Sequence, residues 1–158
     1  MKRFIFALAL LFACTTSDRT YQLSAEPTLG ALLPVSDAQS SGFIVGGAQQ
    51  SWSAYRVVFH DVEYTAGVDP SRRIRFIETN DSRFRTREGL RVGATLGDVL
   101  AAGGRSPVYE AGWGRWSLLQ SGWCAFFAAP SATDALGAPR VLSYFRRDGI
   151  RVDQPRIQ

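Results

Sequence analysis

The stretch Tyr55-Arg56-Val57-Val58-Phe59-His60-Asp61-Val62-Glu63-Tyr64 points to a β-rich chain. Most of its residues are β-branched or aromatic, the types that suit a pleated, half-buried surface, so it reads as one long strand. Downstream, Gly67-Val68-Asp69-Pro70-Ser71 carries turn chemistry. Arg73-Ile74-Arg75-Phe76-Ile77-Glu78 then alternates as a half-buried strand, with Ile74 and Phe76 inward and Arg73 and Arg75 outward. Upstream, Tyr21-Gln22-Leu23 and Gly42-Phe43-Ile44-Val45-Gly46 read as short strands, while Gly30 and Pro34 break any long helix between Leu29 and Gln39. Past Pro107 the pattern returns to β at Val108-Tyr109-Glu110, Arg115 to Gln120, Trp123 to Ala128 and Val141-Leu142-Ser143-Tyr144-Phe145. Ser121-Gly122 sits where a hairpin turn is needed.

One helix announces itself by its caps. Thr95 with Asp98 approximates a capping box, Leu96, Val99 and Leu100 fall at helical spacing, and Gly103-Gly104 supplies the stop. A helix of two turns is unstable alone and must dock on a sheet. The expected class is therefore α+β, a small, mostly antiparallel sheet with one or two short helices packed on it. Leu29-Gly30-Ala31 ahead of Ser36-Asp37-Ala38 echoes Val92-Gly93-Ala94 ahead of the Thr95 helix, which raises a duplicated helix-plus-sheet unit as a variant.

The first 14 residues carry an address. Met1-Lys2-Arg3 is a short basic region, and Phe4 to Phe12 is an unbroken run of nine apolar residues. As a helix that run spans about 14 Å, less than half a bilayer core, so it fits a secretory signal and not a transmembrane anchor. Leu11-Phe12-Ala13-Cys14 follows. It resembles the lipobox of bacterial lipoproteins in Leu11 and Ala13, with Phe12 where a small or β-branched residue is more usual. The resemblance implies cleavage before Cys14, a diacylglycerol thioether on its sulfur and an acylated amino terminus, hence a membrane-anchored envelope protein, on the outer membrane's periplasmic face where the cell has one. Two or more acyl chains give stable anchoring where one does not. The expected organisation is a signal peptide at 1–13, lipidated Cys14 and tether at 14–20, one domain at 21–147 and a tail at 148–158.

Composition excludes other classes. The chain has 158 residues, 18 of them basic, yet the only lysine is Lys2. Without Lys2 and Arg3 the balance is 16 basic against 14 acidic residues, with no basic run, which argues against nucleic acid as a partner. One histidine and two cysteines exclude nearly every His- or Cys-rich metal site, and no metal or small-molecule cofactor is indicated. With Cys14 lipidated, Cys124 has no disulfide partner and should be buried as a small hydrophobe. His60-Asp61 is the only acid–base pair, but neighbours on a strand point to opposite faces. No nucleophile motif accompanies it.

Phe84-Arg85-Thr86-Arg87-Glu88-Gly89-Leu90-Arg91-Val92-Gly93-Ala94-Thr95-Leu96-Gly97-Asp98-Val99-Leu100 resembles a pattern common in small bacterial lipoproteins and periplasmic proteins. Its Gly-Ala-Thr-x-x-x-Val part is similar to outer-membrane assembly lipoproteins of the SmpA/BamE type and to the β-lactamase-inhibitor-like fold. Gly104-Arg105-Ser106-Pro107 departs from the Gly-x-Pro common after the helix in the assembly lipoproteins. Physically the motif is a joint: Gly89 permits a tight turn, Gly93 swings the chain off a strand, and Thr95 caps the helix.

Binding candidates come from the aromatic set. Trp113, Arg115, Trp116 and Trp123 lie within eleven residues, beside Tyr109. Trp116 and Trp123 read as core. Trp113, between two glycines, joins Tyr109 and Arg115 as the candidate contact set, since Trp and Arg are enriched in interface hot spots. The expected function is a lipid-anchored, non-catalytic binding or assembly module whose partner is an envelope protein. The alternative is an inhibitor or defence lipoprotein that captures a secreted hydrolase, with an envelope hydrolase as the weakest reading.

Overall fold

A computed structural model describes residues 20–35, 40–45, 51–127 and 139–150. The signal segment, Cys14, Ser36-Asp37-Ala38 and the tail from 151 lie outside those residues. Nine strands are described: β1 (Tyr21–Gln22), β2 (Gly42–Val45), β3 (Ser51–Phe59), β4 (Val62–Val68), β5 (Ile74–Thr79), β6 (Val108–Glu110), β7 (Gly114–Leu118), β8 (Cys124–Phe127) and β9 (Val141–Arg147). They form a single mixed sheet in the order β1-β3-β4-β5-β9-β8-β7-β6, with β2 also paired to β3. Strand β3 is long enough to carry two partners on one edge: β2 lies against Ser51–Ala54, and β1 runs parallel to Val57 and Val58.

This overturns the α+β expectation. The protein is mostly β, and its one described helix, α1 (Leu96–Ala101), has six residues, of which only Val99 is buried. The capping box is real, since the Asp98 amide donates to Thr95 Oγ1 at 3.1 Å and the Thr95 amide donates back to Asp98 Oδ2 at 2.8 Å. A cap contributes about 1 kcal/mol and cannot lengthen a helix that Gly103 and Gly104 terminate at once. What covers the sheet is therefore irregular chain, with Leu33, Val35, Phe84 and Leu90 buried beside Val99.

The opening stretch is also corrected. It is a hairpin and not one strand: Phe59 pairs with Val62, and His60 and Asp61 form a tight turn with φ of +46° and +63°. Two consecutive left-handed residues give the turn twist that matches flanking strands, and Asp tolerates that region better than most residues.

Strand β5 departs from simple alternation for a definite reason. Val68 pairs with Ile74 and Gly67 with Phe76, which leaves Arg75 as an extra, bulged residue. A bulge shifts the facing by one. Ile74 and Phe76 therefore point to opposite faces, and the adjacent Phe76 and Ile77 are both buried.

Of the two helices in the expected duplicated unit, the one at Ser36-Asp37-Ala38 lies outside the described residues, but the two glycine joints are equivalent in detail. Gly30, at φ +80°, donates to the Ile74 carbonyl at 2.7 Å, and Ile74 donates to Ala31 at 2.9 Å. Gly93, at φ +88°, donates to Val141 at 2.8 Å, and Val141 donates to Ala94 at 2.9 Å. Arg73 Nη1 donates to the Gly30 carbonyl at 2.9 Å, as Arg140 Nη1 does to that of Gly93 at 2.9 Å. The bulge recurs too, since Phe127 pairs with Val141 and Phe126 with Ser143, skipping Leu142. Joint plus meander is thus what repeats. The antiparallel β5–β9 seam, Ile77 opposite Arg146 and Thr79 opposite Tyr144, joins the two halves about a local twofold at Glu78 and Phe145.

Gly93→Val, and equally Gly30→Val, should lower unfolding free energy by about 1–3 kcal/mol, because a β-branched residue is strained at positive φ. Gly89, at φ +84° in the turn closed by its amide to the Thr86 carbonyl, should respond alike. Thr95→Ala should cost about 1 kcal/mol through the lost cap. Denaturant midpoints check all four, and unchanged midpoints in the glycine variants would contradict the joint.

Candidate functional site

The two faces of the sheet are unequally covered. On the closed face, the 18 buried residues of the main core pack under the joints and α1, and Trp123 lies there, 2% exposed. Its ring meets Phe84 edge-on at 4.8 Å and carries the Arg146 guanidinium at 4.4 Å. On the opposite, aromatic face the buried cluster is smaller: Trp52, Phe76, Leu118, Cys124 and Phe145. Ile44, Trp113, Trp116, Phe126 and Ile150 pack against them and stay partly exposed.

Trp113 is set on this face by its turn. Glu110 to Trp113 closes a β-turn, the Trp113 amide donating to the Glu110 carbonyl at 3.0 Å, and Gly112 takes the third position at φ +82°. Positive φ there is the signature of a type II turn. The indole lies on Phe145 at 5.8 Å and 18°, on Phe76 at 5.5 Å and against Trp52 at 6.4 Å. Arg147 stacks its guanidinium 4.2 Å above the same indole, and its Nη2 donates to the Glu110 carboxylate. Trp116, expected in the core, lies edge-on to Phe145 at 6.0 Å and is only partly buried.

The three candidate contacts are not brought together. Tyr109 pairs with Arg115 across the β6–β7 ribbon, and Tyr109 is 80% exposed. Trp113 folds onto the other side of that ribbon. Sequence reasoning missed Arg147, Glu110, Phe76 and Phe145 as members of the aromatic face. The available signal was the adjacent pair Phe76-Ile77, too apolar for a strand buried on one side.

Beside the aromatics, a shallow groove of about 230 Å³ is lined by Glu63, Thr65, Glu78, Phe126, Leu142 and Ser143 among others. Ser143 Oγ donates to Glu78 Oε1 at 2.6 Å. Leu142, the bulged residue, is 48% exposed there.

Electrostatics elsewhere serves the scaffold. The Arg83 guanidinium, with the Arg83 and Glu63 amides, holds the Asp81 carboxyl well below the usual range. This fastens the strand after the hairpin turn. His60 sits on that turn against Phe59, 4.0 Å between ring centroids, and both His60 and Asp61 are exposed. Cys124 is fully buried, and burial pushes its thiol up to about 12. Among the described residues no group of three potential metal ligands occurs, and no helix is long and apolar enough to cross a membrane. What the arrangement offers chemically is contact: aromatic area, a stacked arginine and side-chain donors.

Comparison with known proteins adds no relative: no family profile, curated protein or solved structure matches the chain.

Because the thiol stays protonated through pH 8–9, native Cys124 should resist iodoacetamide there and react only after unfolding. Mass spectrometry of the alkylated peptide checks this, and rapid native labelling would contradict the burial.

Proposed function

We propose that this protein is a lipid-anchored envelope protein that acts as a non-catalytic binding or assembly module, with the aromatic face of its sheet as the docking surface. The observation that carries the reading is the unequal cover of the two faces. A central sheet with its second face under irregular chain and a helix needs no more than its own core for stability. The aromatic face instead leaves two tryptophans, Phe126 and Leu142 partly open beside a stacked arginine. Interface cores are enriched in these residue types, and contiguous apolar patches on small domains mark contact surfaces. The lipobox-like segment ending at Cys14 supports the compartment. The joint motif's likeness to small envelope lipoproteins supports it further.

The partner is a protein and not the bilayer, because Glu63 and Glu78 line the groove beside the aromatics. Two carboxylates at the rim disfavour approach to an anionic lipid surface. The runner-up, capture of a secreted hydrolase, uses the same surface, and the identity of the captured protein separates the two.

Cys14→Ala should move the protein from membranes to the soluble fraction, and unchanged fractionation would contradict the anchor. A photo-crosslinking residue in place of Leu142 should give a discrete protein adduct in intact cells, identified by mass spectrometry. An adduct with lipid alone, or the same yield from a crosslinker at exposed Arg87, would contradict docking on the aromatic face.

A further inference from the structure

We propose that the aromatic face contains a site for neutral carbonyl oxygens, built from the side-chain donors of Trp113, Trp116 and Arg147. It rests on the docking reading above and names the partner's chemistry: a segment that presents main-chain or side-chain amide carbonyls.

Trp113 Nε1, Trp116 Nε1 and Arg147 Nε are each buried without an acceptor among the described residues. Such groups are uncommon in folded proteins, because a buried donor loses its water without replacement. Three of them share one cluster. Both indoles lie on Phe145, at 5.8 and 6.0 Å, and the Arg147 guanidinium sits 4.2 Å over Trp113. The other two orphaned side-chain atoms, Tyr21 Oη and Arg146 Nε, are not part of it, and Arg146 stacks on Trp123 at the closed face.

The donor set selects the ligand. Indole and guanidinium nitrogens donate and do not accept, so the complement must be acceptor-rich. Arg147 already has a carboxylate in Glu110, so no uncompensated charge asks for an anion. Glu110 is engaged by Arg147, so the cluster offers more donors than acceptors, and an oxygen that carries no hydrogen of its own, such as an amide carbonyl, fits it better than a hydroxyl. An amide carbonyl on an apolar or aromatic body meets both requirements, its body resting on the partly exposed rims of Trp116 and Phe126. Access runs through the β6–β7 turn. Trp113 is only partly buried and flanked by Gly112 and Gly114, at φ +82° and +75°, and because its Nε1 is covered, binding requires this turn to yield.

The test uses the full chain in detergent micelles with ¹⁵N-labelled tryptophan, titrated with N-acetylphenylalaninamide while the indole N–H resonances are followed. The Trp113 and Trp116 resonances should move downfield and saturate, while Trp123 stays in place. Trp113→Phe and Trp116→Phe keep a ring and delete the donor; Arg147→Lys keeps the charge and deletes Nε. Each should weaken probe binding at least fivefold, and Trp113→Phe should leave Tm equal or higher, which a purely packing role would not couple to lost binding. The absence of a saturable shift, equal affinity in the three variants, or a stronger response to acetate or glucose would overturn the site. If crosslinking at Leu142 captures a protein and the donor deletions leave that capture unchanged, docking stands and this site falls. Donor-dependent probe binding without any captured protein would leave the site standing and remove the partner reading.

Discussion

The structure depends on burying β5 and β9 from both sides at once. Two antiparallel meanders meet at that seam, so each strand there must present apolar side chains to both faces. Phe76 and Ile77 do so on one strand, Tyr144 and Phe145 on the other. A bulge in each meander makes the pattern work by absorbing one polar or exposed position, Arg75 in the first and Leu142 in the second. Everything else is arranged around that demand. The joints at Gly30 and Gly93 lead chain back over one face, and the β6–β7 turn brings Trp113 over the other.

The two faces meet the demand by different means. The closed face uses depth: many residues, tight joints, and a buried hydroxyl in Tyr144, whose Oη donates to the Arg91 carbonyl at 3.0 Å. The aromatic face uses a few large rings in contact and leaves the N–H groups of Trp113 and Trp116 unpaired. Large rings bury much area per residue, which lets a thin layer hold a sheet face. The same thinness keeps the rings within reach of another molecule.

Much of the scaffold was legible in the sequence. The strands from β3 onward follow β-branched and aromatic runs, and the Thr95–Asp98 box and glycine stops mark α1 within a residue or so. The class was misread because a strong cap suggested a helix that matters, while the covering layer is irregular chain with no periodicity to read. The His60-Asp61 turn was hidden because both flanks are strand-like and no glycine marks the corner. Trp113 could not be placed from its neighbours: its partners Trp52, Phe76 and Phe145 come from three distant strands. The grouping of Trp113 with Tyr109 and Arg115 failed for the same reason, since closeness in sequence across a hairpin does not give a shared side. Nothing local marked Arg147 either, whose role comes from stacking over an indole more than thirty positions away.

In the proposed function one face is a sealed core and the other a working surface that a partner covers in place. Hydroxyl-radical footprinting of the four tryptophans, in intact cells and in the purified chain, tests it most directly. Trp123 should stay unmodified in both, and Trp113 and Trp116 should be oxidised in the purified protein and protected in cells. Equal oxidation of Trp113 and Trp116 in both settings, or modification of Trp123 at a comparable rate, would contradict it.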